Sequence, residues 1–303
     1  MQTLNRIEGR SVILSDDAIP MRWWDYTRNF GDLLGPWLVQ RMSGREIKWV
    51  PRHEPHYITI GSILGHVRPS SVVWGVGSFG SEGEKKVTTG NRYLATRGPL
   101  TRARLEMYKQ SSPRIYGDPA LLVPEYHPAA ARQDSKVGLI LRWSERVRKR
   151  NFDVDGVRVI DLETDSIEDT LDAITSCEVI VSTSLHGLIL ADAYGIPNAW
   201  LIADTGYGKE HKFWDYLLSV RKERDPVEVD ITQTGMTADS FMNRFSFDDR
   251  EMKIDLDALK DSNPFTGHSP RIAEAEAAAL AGVEEMAAAG RVDRKSLQPR
   301  YLK

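Results

Sequence analysis

This chain has almost no cysteine, no long apolar run and no excess of one charge, and each shortage closes off a class of function. Cys177 is its only cysteine, so no intrachain disulfide can form and a reducing compartment is the simpler setting. A lone cysteine of this kind reads as a small buried apolar side chain and not as a nucleophile. No apolar stretch is long enough to cross a bilayer. The first ten residues, MQTLNRIEGR, lack the apolar centre of a signal peptide, so the expected location is cytoplasmic. A formal net charge of −3 provides no overall attraction to nucleic acid or to a membrane, so any anion site must be local. His53 and His56 are three residues apart, but no cysteine or second acidic cluster joins them, and they read as loop histidines without a metal.

What the chain does have is length and alternation. Its 303 residues suffice for two domains with proper cores. Short β-branched runs are expected as strands at 11–14, 46–50, 57–60, 93–96, 114–116, 136–143, 157–160, 179–181 and 199–202, with another starting at Val72. Between them lie helical patterns starting near Asp32 and at Pro99, and at 63–67, 167–176, 185–194, 211–220 and 254–259. Residues 16–26 read as a loop, and 124–134, with two prolines, as a linker. The alternation predicts an α/β protein of two Rossmann-like, doubly wound domains, residues 1–126 and 127–266, with residues 254–259 closing the second. An Ala-rich helix and a basic tail follow at 267–303, and the helix packs weakly or binds a partner.

The most informative stretch is 179–197, VIVSTSLHGLILADAYGIP. A buried strand leads into Ser182, Thr183 and Ser184, then into a one-faced helix starting at Leu185, with Gly195 suited to its C′ position. His186 and Gly187 fall in the first helical turn, where unpaired N–H groups and the positive dipole end favour an anion, and Gly187 would let a ligand approach the backbone. In open α/β sheets ligands bind beyond the carboxyl ends of the strands. Asp32, Arg97, Asp118, Arg142 and the 182–186 turn all follow expected strands or begin helices. Arg97 and Arg102 bracket a Gly-Pro helix start, a good placement for guanidinium groups that grip phosphate or carboxylate; Arg97 is the stronger candidate and Arg102 reads equally well as a surface charge. Lys212 sits on an early helical turn. Asp32, beside Asn29 and Gly31, either caps a helix or points into a cleft. The string GVGSFG at 75–80 superficially matches a dinucleotide fingerprint, but no amphipathic helix follows and no acidic residue closes the unit, so a nicotinamide site is rejected. A glycine-lined floor for another ligand stays open. Trp23 and Trp24 read first as packing under a loop and second as a stacking platform for a sugar or ring.

These motifs resemble those of the polysaccharide pyruvyl transferase family. The similar pieces are Asn29-Phe30-Gly31-Asp32, RGPLTR at 97–102, GDPALLVP at 117–124, STSLHGLILADAYGIP at 182–197 and KFWDYLLS at 212–219. They occur in the family's order and span most of residues 29–265, whereas the Ala-rich segment has no dependable counterpart. The resemblance implies a two-domain, glycosyltransferase-B-like fold and transfer of a pyruvyl group from phosphoenolpyruvate to a sugar of a cell-surface polysaccharide or its lipid-linked precursor, giving a pyruvate ketal and phosphate. It also implies roles. His186 is the expected general acid, because the chemistry needs a proton donor with a pKa near neutral, and Asp32 or Asp118 would accept the hydroxyl proton or stabilise a cationic centre. Asn29, Gly31, Arg97, Arg102, Arg142, Ser182, Ser184, Leu185, Gly187 and Lys212 form the expected substrate-binding set. No metal and no organic cofactor is called for, and nucleic acid is not an expected partner. A lipid-linked acceptor would bring the protein to the inner face of the membrane peripherally, and a homo-oligomer stays open.

Two other readings remain. A nucleotide-sugar-dependent glycosyltransferase of the same architecture would also bind phosphate at a helix N-terminus. A non-catalytic saccharide-binding or assembly protein would use the Ala-rich helix as its contact. Stabilisation by phosphoenolpyruvate, against nucleotide sugars, separates the first two.

Overall fold

A computed structural model of the protein describes residues 18–84, 87, 92–131, 133–203, 210–233 and 235–266. The strand expected at 11–14, nearly all of the glycine-rich loop at 204–210 and the helix and tail beyond residue 266 lie outside the described residues. The described chain is α/β with two parallel sheets, compatible with a Rossmann-like fold. The first sheet holds β1 (Ile19–Met21), β2 (Ile47–Trp49), β3 (His56–Ile58), β4 (Ser71–Val76) and β5 (Arg92–Thr96), in the order β2-β1-β3-β4-β5. The second holds β6 (Ser135–Leu141), β7 (Val157–Asp161), β8 (Cys177–Ser182) and β9 (Asn198–Trp200), in the order β7-β6-β8-β9. Every pairing within the two sheets is parallel. All six residues of β4 are buried, which is why that strand reads as a continuous apolar run and not as an alternation.

In each sheet the strand order reverses once, between β1 and β3 and between β6 and β8. Such reversals open a crevice at the carboxyl edge, because the connections on either side leave toward opposite faces. Helix α1 (Phe30–Ser43) follows β1, α2 (Pro99–Met107) follows β5, and α3 (Arg146–Arg150) and α4 (Ile167–Thr175) frame β7. Helix α5 (Leu185–Ala193) follows β8, with Gly195 just past its end at φ +68°. It is buried on nearly every side, not one-faced as expected, because it lies between the second sheet and the 3-10 helix Pro119–Glu125. Helices α6 (His211–Val220), α7 (Ala238–Met242) and α8 (Leu256–Asp261) complete the described chain. One apolar core runs continuously from Ile19 and Trp74 under the first sheet to Ile140, Ile180 and Leu188 under the second.

Three expectations need correction. Residues 19–21 form β1, not a loop. Pro20 hid the strand, yet it costs no ladder bond: Ile19 donates to Glu46 O and Met21 O accepts from Val50, so the neighbours of Pro20 face β2, while pairing with β3 starts only at Met21. Residues 114–116 make a single bridge, Tyr116 to Thr96, and no strand. The segment around α8 packs on the first sheet and does not close the second. Trp74 Nε1 donates to Leu259 O at 3.1 Å and to Ser262 Oγ at 3.1 Å, and the Phe265 ring meets Tyr57 and Trp74 edge-on. Cys177 is buried and donates its thiol to Ala173 O, as a core side chain would.

Candidate active site

Residues beyond the carboxyl ends of strands in both sheets line one cavity of about 760 Å³. Arg22 and Trp24 follow β1, Gly61 and Ser62 follow β3, Arg142 and Trp143 follow β6, and Ser184, Leu185 and His186 follow β8. Both strand-order reversals therefore open onto the same cleft, as the rule for parallel sheets requires.

His186 lies in the first turn of α5, and α1 crosses beside its ring. A Cβ on residue 31 would fall 2.0 Å from His186 Nδ1, so glycine at 31 is what lets the imidazole lie against α1. On its other side His186 Nε2 faces Asp118 Oδ2 at 3.9 Å. Both atoms are buried without a hydrogen-bond partner. Asp118 uses its other oxygen, Oδ1, to cap the 3-10 helix by accepting from Ala120 N at 3.1 Å. Asp32 is the third member. It does not cap α1, because Asn29 occupies that position. Asn29 Nδ2 donates to Asp32 Oδ2 at 2.5 Å and turns the carboxyl toward the cavity.

Burial decides the charges of this trio. Loss of solvent pushes Asp32 up to about 7, against the hydrogen bond from Asn29 and the nearby Lys212, and pushes Asp118 up to about 6. His186 moves the opposite way, down to about 3, because burial and the Lys212 and Arg97 cations all oppose the imidazolium. The positive end of α5 acts in the same sense. Of the three, the groups that titrate nearest neutrality are thus the carboxyls. The expectation of a near-neutral imidazole is not met, because burial, and after it the Lys212 and Arg97 cations, hold His186 well below that range.

The expected binding residues divide by position. Arg142 and Lys212 reach the cavity. Arg142 Nε donates to Thr183 O at 3.0 Å, and its guanidinium lies over the Phe213 ring. Lys212 Nζ sits 5.7 Å from the Phe79 ring centre and 5.2 Å from that of Phe213. Asn29, Ser184 and Leu185 also line the cavity.

Arg97 does not line it. Its guanidinium is fully buried and spent on Asp215 Oδ2 at 3.0 Å, Ser62 Oγ at 2.7 Å and Ser78 O at 2.9 Å. This ion pair ties the end of β5 to α6, and Asp215 is further held by Thr101 N and Oγ1. Arg102 is also off the cavity, paired with Glu106 at 2.7 Å and bonded to Ser112 O.

Ser182 and Gly187 belong to the turn and not to the ligand wall. Ser182 Oγ donates to Ser184 O and accepts from Ser184 N, and a Cβ on residue 187 would come within 2.3 Å of it. Glu145, not singled out in the sequence, holds that turn from beneath by accepting from Thr183 Oγ1 and from Arg142 N. The glycine-rich string has a similar explanation. A Cβ at Gly75 would strike Pro119, one at Gly77 the Arg97 guanidinium, and one at Gly80 the His211 ring. These glycines make room for protein, and among the described residues of this stretch Phe79, Ser81 and Glu82 line the cavity.

Aromatic rings, and three arginines not singled out in the sequence, also line the cavity. Trp24 stacks obliquely on Tyr26 and Trp143, with centroid distances of 5.3 and 5.9 Å, while Trp23 is buried beneath. Trp23 thus packs in the core as the first reading expected, while Trp24 lines the cavity. Arg22, Arg52 and Arg68 line the same cavity. Arg22 would have been found by the strand-end rule had β1 been recognised behind Pro20.

Comparison with known proteins agrees with this picture. The sequence profile described as "Polysaccharide pyruvyl transferase" matches residues 46–204, more than half of the chain. That span holds Arg142 and His186 of the cavity wall, and Asp118 behind His186, while Asn29, Asp32 and Lys212 reach the cavity from outside the span. An uncharacterised protein of Acanthamoeba polyphaga mimivirus is 26% identical over 210 residues, covering 65% of this chain and 72% of that protein. The succinoglycan biosynthesis protein ExoV of Rhizobium meliloti (strain 1021) is 26% identical over 207 residues, covering 65% of this chain and 62% of ExoV. No solved structure matches the chain. With its motifs in order and its strand-end residues gathered in one cleft, the chain belongs to the polysaccharide pyruvyl transferase family.

Proposed function

We propose that this protein transfers the pyruvyl group of phosphoenolpyruvate to a sugar of a polysaccharide or of its lipid-linked precursor, forming a pyruvate ketal and releasing phosphate. The observation that carries the proposal is the pair of buried, unpartnered atoms His186 Nε2 and Asp118 Oδ2, facing each other beside the cavity wall. Buried polar groups of this sort are retained where a reaction uses them. ExoV, named for succinoglycan biosynthesis, is a relative consistent with a polysaccharide product.

The donor carries a phosphate and a carboxylate. Lys212, Arg142 and the N–H groups at the start of α5 would hold them. Burial and two cations keep His186 neutral; the donor's negative charge opposes both, so the imidazole gains a proton as the donor binds. Asp118, with its raised pKa, is the nearest source of that proton. His186 then protonates the methylene carbon, leaving an oxocarbenium-like centre. One sugar hydroxyl adds to that centre and gives up its proton, phosphate leaves, and a second hydroxyl closes the ketal with loss of its own proton. Asp32, pushed up to about 7 and aimed into the cavity, suits the acceptance of a hydroxyl proton. The Trp24, Tyr26 and Trp143 rings offer apolar faces against which a sugar ring stacks.

The architecture belongs to the same proposal. Two Rossmann-like domains in a glycosyltransferase-B-like arrangement, divided near residue 126, account for two sheets whose strand ends share a cleft, with residues 254–266 returning to the first. A lipid-linked acceptor would place the protein peripherally at the inner face of the membrane; no helix among the described residues is long and apolar enough to cross one.

The test is phosphate release from phosphoenolpyruvate with a panel of lipid-linked sugars, read together with mass gain on the sugar. Release that requires the sugar, and thermal stabilisation by phosphoenolpyruvate but not by nucleotide sugars, is the expected result. Stabilisation by nucleotide sugars alone would replace this reading with a glycosyltransferase.

A further inference from the structure

Three arginines of the cavity wall are not used in the donor chemistry proposed above. Arg22 follows β1, Arg52 follows β2 and Arg68 lies in the crossover between β3 and β4, and all three line the same cavity as His186. Arg22 is 7% exposed, stacks its guanidinium 5.0 Å from the Trp49 ring centre and donates Nη1 to Val50 O at 3.3 Å. Its Nε is buried without a partner. Arg68 is held by Nη1 bonds to Gly65 O and Val67 O at 3.0 and 2.7 Å. The carboxylate of Asp25 also acts on Arg22.

Like charges do not gather in a partly buried wall without cost. Burial and the neighbouring Arg52 and Arg22 charges bring Arg68 down to about 10, and burial with Arg52 lowers Arg22 in spite of Asp25. A buried guanidinium Nε with no acceptor adds a desolvation penalty. Both costs are relieved by an anion with several oxygens, because guanidinium groups grip such oxygens in pairs. The Trp24, Tyr26 and Trp143 rings lie in the same cavity and offer a surface for a sugar attached to that anion.

We infer that Arg22, Arg52 and Arg68 form a second anion subsite, separate from the donor subsite at His186, which takes the phosphate or diphosphate group carried by the acceptor saccharide. The acceptor is then a phosphorylated sugar, either linked through diphosphate to a lipid or soluble. The assignment of this anion to the acceptor rests on the pyruvyl-transfer reading; the anion subsite itself does not.

Calorimetric titration of the full chain tests it with three probes, phosphoenolpyruvate, inorganic pyrophosphate and farnesyl diphosphate. Pyrophosphate is expected to bind in the presence of saturating phosphoenolpyruvate. Arg22→Gln and Arg68→Gln should each weaken pyrophosphate about ten- to a hundredfold, the loss of charged hydrogen bonds, and leave phosphoenolpyruvate affinity within about twofold. Thermal midpoints report whether the buried Arg22 variant stays folded, and the half-buried Arg52→Gln provides a variant less coupled to the core. Tighter binding of farnesyl diphosphate than of pyrophosphate identifies a lipid-linked source, and equal binding a soluble one. Failure of pyrophosphate to bind the wild-type chain, one-for-one competition with phosphoenolpyruvate, or equal weakening of both ligands in the variants overturns the subsite. If phosphoenolpyruvate itself does not bind, the donor reading fails, while the pyrophosphate titrations still decide the arginine subsite.

Discussion

At the scale of single residues, the catalytic proposal depends on where a few atoms are aimed. His186→Gln keeps most of the side-chain volume and removes the acid, so phosphate release should fall about 10²–10⁴-fold with little change in thermal midpoint; retained turnover would remove His186 from the chemistry. Gly31→Ala is a sharper probe because it never touches the ligand. Alanine is the better helix former by about 1 kcal/mol, yet its Cβ would sit 2.0 Å from His186 Nδ1 and must displace the imidazole. A folded protein with much-reduced kcat is expected, measured by the same phosphate assay. Trp143 addresses the other substrate. Its ring belongs to the aromatic wall, so Trp143→Ala should raise the acceptor KM several-fold to tenfold, the loss of about 1 kcal/mol of stacking, and leave phosphoenolpyruvate affinity alone.

At the scale of elements, the turn before α5 is held by contacts within the protein. Ser182 closes the turn on itself, Gly187 makes room for Ser182, and Glu145 collects Thr183 and the backbone of Arg142. The link between the ends of β5 and α6 is of another kind. Arg97 and Asp215 are both buried, and removing one partner strands the other charge without solvent. Arg97→Met should therefore cost about 3–5 kcal/mol in denaturant unfolding. Because α6 also carries Lys212, the same variant should loosen donor binding through a residue that makes no ligand contact. A change in donor affinity without any loss of stability would instead mean that Arg97 touches the donor.

At the scale of the whole molecule, buried titratable groups set the dependence of stability on pH. Asp32 and Asp118 are raised to about 7 and about 6 from an ordinary value of 3.8. Their contribution to folding is fully present below 3.8 and is lost as pH rises through 6 to 7. His56 and His186 are lowered to about 3 from 6.5, chiefly by burial. Their contribution is fully present above 6.5 and is lost as pH falls through 3. Between about pH 4 and 6 the folded chain holds protons on two carboxyls and the unfolded chain on two imidazoles, so the four slopes cancel. In Asp32→Asn the unfolded chain binds one proton more, and stability should rise by about 1.4 kcal/mol per pH unit across that window. Chemical denaturation at several pH values reads this slope directly, and equal slopes in the wild type and the variant would show that Asp32 is ionised in the folded protein. Trp74 reports on the packing of residues 254–266. Trp74→Phe removes the donor to Leu259 and Ser262 and should cost about 1–3 kcal/mol.

Local pattern alone determined the strand–turn–helix at 179–197, the parallel α/β character and the residues most worth placing, because hydrophobic period, small polar caps and glycine at a C′ position are properties of neighbours in the chain. His186, Asp32, Asp118, Arg142 and Lys212 were all legible in that way as groups at strand ends or helix starts. Direction was not legible. Arg97 and Arg142 both end strands, but only the three-dimensional packing turns one toward Asp215 and the other toward the cavity. Gly187 and the glycines at 75–80 looked suited to a ligand, and the fold uses them for Ser182, Pro119, Arg97 and His211, since the need for missing side chains arises from whatever packs there. The short β1 stayed hidden because Pro20 breaks the local pattern, and its harmlessness depends on which neighbour each peptide faces. With β1 went Arg22 as a strand-end residue of the cavity. Charge state was the last thing decided by tertiary structure: a histidine reads as near neutral from its type, and burial between two cations makes it otherwise.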